Sequence, residues 1–268
     1  MRIALVTDVH FGPLAYFDGK LRKLSHRAAD LTAEFVRAAR AAGAELIVNL
    51  GDVVEDESRE ADHARYAEFT SLLEGSELPV LHVAGNHDQI FLSDADLAGL
   101  WGRDGALHYF EDIGGLRFVV LNTLETKDVC VRLPQAQLDW VAAVLRDSPH
   151  PVVVLMHHPA GEMDLRGNRW FEKAPHICRV AERRELRNIL IQSEKVLCVF
   201  NGHAHWNYAE VFDQVPFVTL QSLTENLDDD APGRPAAAWA LCDITKAAVL
   251  LEVHGEEPSR LRVPRKSG

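Results

Sequence analysis

The chain has 268 residues, 47% of them apolar, and its 28 basic against 40 acidic side chains leave a formal net charge of −12. That length and apolar content suffice for one α/β domain with a sizeable core. The acidic balance disfavours a nucleic acid partner, because no basic stripe precedes the short tail at residues 260–266. No run approaches the roughly 18 apolar residues of a membrane span. The chain enters its first apolar run without the basic, apolar and small-residue pattern of a leader, so no membrane association is expected. Cys130, Cys178, Cys198 and Cys242 form no C-x-x-C pair. Cys198 and Cys242 lie in apolar runs and are expected as buried thiols, in keeping with a reducing, cytoplasmic location.

Residues 3–6 read as a buried strand that ends in Asp8-Val9-His10. Residues 11–23, rich in Gly, Pro and aromatics, are expected as a loop whose Tyr16, Lys20, Arg22 and Lys23 either face a substrate or are solvated. Ser25 reads as the N-cap of a helix to about residue 42, with Ala28, Leu31, Phe35, Val36 and Ala39 at helical spacing and Gly43 as its stop. A strand at 46–50 then runs into Gly51-Asp52, a helix covers about 59–73, and a strand at 80–83 runs into Gly85-Asn86-His87-Asp88. Strand and helix in alternation predict a parallel sheet with crossover helices.

The texture then shortens. A helix at about 94–101 precedes a hairpin of residues 107–110 and 116–121 around Gly114-Gly115. Pro134 reads as the first position of a helix to about residue 146. A strand at 152–156 delivers His157-His158-Pro159. Residues 160–176, with Arg166, Asn168, Arg169, Trp170 and Phe171, read either as a substrate-facing lid or as an ordinary surface loop. A helix at about 179–192 leads to a strand at 196–200 and the turn Gly202-His203-Ala204-His205. Short strands at 208–212, 217–221, 238–242 and 249–253 finish the chain. Asp228-Asp229-Asp230 lacks the downstream spacing of an EF-hand and reads as a solvated loop. Residues 256–268 are expected as a flexible tail. No linker divides the chain, so a single domain over 1–268 is expected.

Five apolar strands therefore end in Asp, His or Asn. Two histidines at spacing two would alone describe one polar face of a strand. Recurrence at all five strand ends is the stronger signal, since open α/β sheets bind ligands there. Asp8, His10, Asp52, Asn86, His157, His203 and His205 supply two carboxylates, one amide oxygen and four imidazoles. Such mixed N/O donors suit two divalent ions, with Mn, Fe, Zn, Co or Ni all compatible and no thiolate to suggest structural zinc. A cation pair about 3.5–4 Å apart suits phosphoryl chemistry. His87, next to a donor but turned to another side, is expected as a general acid, with an eighth ligand or a hydrogen-bond donor behind the ligands as alternatives. His158 is expected to pack or to support a ligand, and Asp88 to steady its loop.

Asp-x-His, Gly-Asp, Gly-Asn-His-Asp, Met-His-x-Pro and Gly-His-x-His, in this order over residues 8–205, resemble the calcineurin-like metallophosphoesterases. The resemblance implies a four-layer αββα sandwich. It implies a first metal on Asp8, His10 and His205, a second on Asn86, His157 and His203, and Asp52 between them. It further implies attack on phosphorus by a bridging hydroxide, with His87 at the phosphate as proton donor to the leaving oxygen. Where many relatives carry an aspartate that steadies this histidine, the chain has Glu55, whose longer carboxylate could still orient His87. Residues 133–140 before the His157 block are similar to the class III cyclic nucleotide and glycerophosphodiester phosphodiesterases. The expected substrate is thus a small-molecule phosphodiester. A phosphomonoesterase or nucleotide pyrophosphohydrolase of the same fold is the alternative, with a nuclease or a metal-poor scaffold behind it.

Overall fold

In the computed structural model, which describes residues 1–126, 129–228 and 230–265, two six-stranded sheets face each other. The first half of the chain supplies β1 (Arg2–Val6), β2 (Ala15–Phe17), β3 (Lys20–Lys23), β4 (Leu46–Asn49), β5 (Val80–His82), β6 (Tyr109–Ile113), β7 (Leu116–Val120) and β8 (Leu124–Thr126). The second half supplies β9 (Cys130–Arg132), β10 (Val152–Leu155), β11 (Val196–Asn201), β12 (Tyr208–Phe212), β13 (Val215–Thr219), β14 (Trp239–Ile244), β15 (Ala248–His254) and β16 (Ser259–Pro264). The helices are α1 (Ala28–Ala41), α2 (Arg59–Glu74), α3 (Asp88–Phe91), α4 (Asp94–Leu100), α5 (Gln135–Asp147) and α6 (Arg183–Gln192).

One sheet runs β16-β15-β14-β1-β4-β5 and the other β12-β13-β11-β10-β7-β6. The strands β1, β4 and β5 are parallel, as are β7, β10, β11 and β13. Alternation of side chains sorts each strand's residues between two layers. Leu5, Val48, Phe118, Leu155, Phe200 and Cys242 meet in the apolar layer between the sheets. Ala4, Val6 and Ile47 point the other way, onto Leu31 and Phe35 of α1 and Phe69 of α2. Val154 and Val199 likewise meet Leu138 and Val141 of α5 and Leu186 of α6. Burial on both faces explains why these strands read as unbroken apolar runs. The result is the αββα sandwich.

Gly43 ends α1 as expected. At φ +73° its N–H bonds the Arg40 carbonyl and that of Ala44 the Ala39 carbonyl, a Schellman closure. Other expectations shift. Ser25 opens a 3-10 turn, its hydroxyl finds no partner among the described residues, and α1 begins three residues later. Pro134 is the N-cap of α5 rather than its first residue, and its carbonyl accepts the N–H groups of Gln137 and Leu138. The helix expected from residue 179 begins at Arg183. Within residues 11–23 the chain forms the hairpin β2–β3.

The tail is the main correction. Residues 259–264 of the expected flexible end pair antiparallel with β15 over six registered positions, and Val263 is buried. The alternation of Leu261 and Val263 with arginines is an edge-strand pattern, charged on the open side. Asp229 and residues 266–268 lie outside the described residues. Among the described residues no helix is long and apolar enough to cross a membrane, and all four cysteines are free thiols.

Candidate active site

Five turns carry the expected donors, and each follows the carboxyl end of a parallel strand. Asp8 and His10 follow β1, Asp52 follows β4, and Asn86 and His87 follow β5. From the other sheet, His157 follows β10, while His203 and His205 follow β11. The site therefore straddles one edge of the sandwich.

Asp8, His10, Asp52, His203 and His205 have φ of 51°, 51°, 53°, 68° and 51°. That left-handed region is disfavoured for non-glycine residues by about 1–3 kcal/mol each. It turns each side chain sharply where its strand stops. Hydrogen bonds tie the turns together: Asp8 N–H bonds Gly51 O at 2.9 Å, His10 N–H bonds Asp52 O at 3.1 Å, and Gly202 N–H bonds His157 O at 3.0 Å. Asp8 joins the two sheets, since its carboxylate accepts the His203 N–H at 3.0 Å and its carbonyl the Ser222 hydroxyl at 2.6 Å. Gly202 permits this contact. A Cβ there would collide with Thr7 Oγ1 and Asp8 Oδ2.

Each imidazole is held by its outer nitrogen. His10 Nδ1 lies 3.0 Å from Glu55, and His205 Nδ1 lies 2.7 Å from Glu225. His157 Nδ1 donates to the Leu50 carbonyl at 2.8 Å, and His203 Nε2 to the Ile177 carbonyl at 3.1 Å. With the outer nitrogen so engaged, the inner nitrogen of each ring is the one that faces the site. The consequence is sharpest at His10 and His205, whose Nε2 atoms face each other at 3.1 Å. Two ring nitrogens at that distance share either a proton carried by one ring or a cation between them. Donors bound to one ion at about 2.1 Å and a right angle lie about 3 Å apart, so the spacing fits a shared cation.

The donors fall into overlapping groups whose atoms lie within 4.8 Å of one another: Asp8, His10 and His205; Asp8, Asp52 and His157; and His157, His158 and His203. Asn86 Oδ1 joins the second of these, 3.1 Å from His157 Nε2, which also lies 3.2 Å from Asp52 Oδ2. His158 is fully buried with Nδ1 at 2.7 Å from Thr123 Oγ1, and its Nε2 lies 3.9 Å from Glu125 Oε2 without a hydrogen-bond partner among the described residues.

The field of the site follows from burial and these pairings. Burial opposes charge on His205, yet the carboxylates of Asp8 and Glu225 outweigh it and hold the imidazole up at about 9. Asp52 does the same for His157, also to about 9. Burial raises Asp8, but His205 and His157 outweigh it and bring the carboxyl down to about 2. Burial and Lys23 push His10 down to about 4. Buried anions thus hold protons where a cation would compete for the same lone pairs.

His87 lies at the rim, its ring edge-on to His10 with centroids 5.0 Å apart and its backbone N–H donating to Asp52 Oδ1 at 2.9 Å. Its Nδ1 sits 2.5 Å from Asp56 Oδ1. Glu55 is engaged elsewhere, with His10 and with Lys23 Nζ at 2.8 Å. The carboxylate that orients His87 is therefore Asp56, one residue beyond the position the sequence singled out. Asp88 is turned inward and accepts four backbone N–H groups, from Asp52, Val53, Val54 and Gly85, at 2.8–3.2 Å.

A cleft of about 320 Å³ opens over these residues, walled by Tyr16, Phe17, Lys23, Trp170 and Phe171. A larger hollow of about 430 Å³ over β14–β16 gathers leucines and an Arg2–Asp243 pair but none of the donors. Of the five residues expected in a lid, Trp170 and Phe171 line the cleft. Arg166 is exposed and pairs with Asp164. Asn168 is buried and braces the turn, bonding the Ala204 carbonyl at 2.8 Å and the N–H groups of Trp170 and Phe171 at 2.9 Å. Arg169 bonds the Asn226 carbonyl at 3.1 Å. Lys23, expected either to face a substrate or to be solvated, is buried beside His10 and lines the cleft. Glu225 carried no motif and nothing beside it along the chain marks it, whereas Asp56 adjoins Glu55 and the Gly-Asp block marked its neighbour.

A family model described as calcineurin-like phosphoesterase matches residues 1–207, which include all seven donors and His87. This chain belongs to that family. The membership makes the phosphoesterase a metal-dependent hydrolase by class. A probable cyclic nucleotide phosphodiesterase of Synechococcus sp. is 27% identical over 167 residues, 60% of this chain and 58% of that relative. A 3',5'-cyclic-nucleotide phosphodiesterase of Nostoc sp. is 23% identical over 242 residues, 86% of this chain and 85% of the relative. Among solved structures, a dimetal phosphatase from Danio rerio superposes with a TM-score of 0.80 at 18% identity, covering 99% of each chain. At that identity the likeness speaks to the fold, which the two share from end to end.

Proposed function

We propose that this phosphoesterase hydrolyses a small-molecule phosphodiester, of the cyclic nucleotide or glycerophosphodiester kind, with two divalent cations at the seven strand-end donors. The observation that carries the reading is the pair of Nε2 atoms of His10 and His205, 3.1 Å apart with both outer nitrogens on carboxylates. Asp8, His10 and His205 would hold one ion, Asn86, His157 and His203 the other, and Asp52 both. Oxygen and imidazole donors without thiolate suit Mn, Fe or Zn, with Co or Ni compatible. When bound, such a pair acidifies a shared water and offsets the phosphate charge.

The chain's own residues supply the rest. His87, held through Nδ1 by Asp56, keeps Nε2 for the cleft. There it delivers its proton to the departing alkoxide as the P–O bond opposite the attacking water breaks, and it ends neutral. Such a proton transfer contributes about 10²- to 10⁴-fold in rate. The aromatic wall of Tyr16, Phe17 and Trp170 would receive the organic part of the ester and displace water. The diester preference leans on relatives named as cyclic nucleotide phosphodiesterases.

The deciding experiment offers metal-reconstituted protein bis(p-nitrophenyl) phosphate and p-nitrophenyl phosphate side by side, with Asp52→Asn as control. Faster turnover of the diester, lost with the substitution, is expected. Preference for the monoester would replace the diester reading with a phosphomonoesterase. Full turnover and full metal content in Asp52→Asn would remove Asp52 from its shared position.

A further inference from the structure

Glu225 is buried at 3% exposure, and no motif marks it. Its Oε2 takes the Nδ1–H of His205 at 2.7 Å. The same carboxylate accepts the indole N–H of Trp170, 3.2 Å from either oxygen, while Arg169 Nη1 approaches at 3.7 Å. An indole has one N–H to give, so Trp170 is committed to this carboxylate. Its ring also lies 5.2 Å from the His205 ring and 5.0 Å from that of Phe17, and Lys23 Nζ sits 5.2 Å from its centre. The wall of the cleft and a donor of the first metal set thus share one buried carboxylate.

We propose that Glu225 and Trp170 act as a positioning pair. Glu225 holds His205 in the tautomer that leaves Nε2 bare, and Trp170 holds Glu225 in place, so the aromatic wall and the first metal set are coupled. The proposal rests on the metal reading above. A carboxylate behind a ligating imidazole fixes its orientation and raises its basicity, and losing such a partner typically lowers metal affinity by about 10- to 100-fold. The second set supplies an internal control, because His157 and His203 are held by backbone carbonyls, out of reach of both side chains' substitution. Coupling through Glu225 must therefore weaken one ion and spare the other.

The test titrates Zn²⁺ into the metal-stripped full chain against a competing chelator, for the wild type, Glu225→Gln and Trp170→Phe, while tryptophan emission is followed. Glu225→Gln is expected to weaken one of two resolved sites by about 10- to 100-fold and leave the other unchanged. Trp170→Phe keeps an aromatic wall but removes the N–H donor. It is expected to weaken the same site less and to lose the emission change that accompanies its filling. Far-UV circular dichroism of the metal-free variants checks folding, and should Glu225→Gln unfold, Trp170→Phe carries the test. Two sites of wild-type affinity in both variants would overturn the coupling alone. Equal weakening of both sites would also overturn it, as a general loosening. A wild type that takes up no Zn²⁺ would overturn the metal reading with it.

Discussion

Asp56 and His87 are joined carboxylate to imidazole, Oδ1 to Nδ1, at 2.5 Å. Burial and Lys23 disfavour the imidazolium, but Asp52 and Asp56 outweigh them and raise His87 above its ordinary value. The raised value favours the protonated imidazole, the form a general acid requires. Asp56→Asn should therefore shift the alkaline limb of the kcat profile to lower pH. It should also slow esters with poor leaving groups more than nitrophenyl esters. An unchanged alkaline limb would detach Asp56 from this role, and Glu55→Gln should leave the limb largely where it is.

The metal-free protein should lose stability on the alkaline side. His157 and His205 stand at about 9 when folded against an ordinary 6.5. Each contributes stability that is complete below pH 6.5 and disappears as pH rises through about 9. His10, held at about 4, acts in the opposite sense: its contribution is complete above pH 6.5 and is lost as pH falls through about 4. Thermal melting with chelator present should thus peak near pH 6.5 and decline toward pH 9. Excess divalent metal should abolish that decline, since cations replace the two protons. A flat alkaline profile without metal would contradict the pairings of His157 with Asp52 and His205 with Asp8.

Asp88→Ala should destabilise the fold by about 3–5 kcal/mol, because it strands four buried N–H groups that cost about 1–3 kcal/mol each when unsatisfied, with partial relief from water. Urea unfolding measures this. A loss under about 1 kcal/mol would mean that the Asp52 and Gly85 turns keep their shape by other bonds.

Gly202→Ala should displace Asp8 rather than the sheet, since the added methyl meets Thr7 Oγ1 and Asp8 Oδ2. About 1–3 kcal/mol of stability is expected to go with the overpacking. Metal retained after dialysis should fall along with it. Two retained ions at wild-type affinity would show that the β1 turn yields without moving its carboxylate.

Much of the sandwich was legible because doubly buried parallel strands write themselves as apolar runs. Residues 3–6, 46–50, 80–83, 152–156 and 196–200 lie on β1, β4, β5, β10 and β11 to within about a residue. Short edge elements were harder. The strand β16 alternates polar and apolar residues only over residues 260–263, among charged neighbours, and it resembles a frayed end until β15 is there to pair with it. The hairpin β2–β3 is short and half exposed, and it is anchored from afar by Lys23 at Glu55 and by the Leu21 carbonyl at Asn226.

At the site, the sequence by itself determined which chemical groups stand at which strand ends, because strand, turn and donor are contiguous and the strand's burial dictates where it stops. Only the tertiary structure decided what stands behind those groups. Glu225 lies 20 residues from His205, Ile177 lies 26 from His203, and Leu50 lies 107 from His157. Even Asp56 prevails over Glu55 because of where two turns meet. A hydrogen bond depends on distance and direction in space, and left-handed turns at the ends of two facing sheets set both.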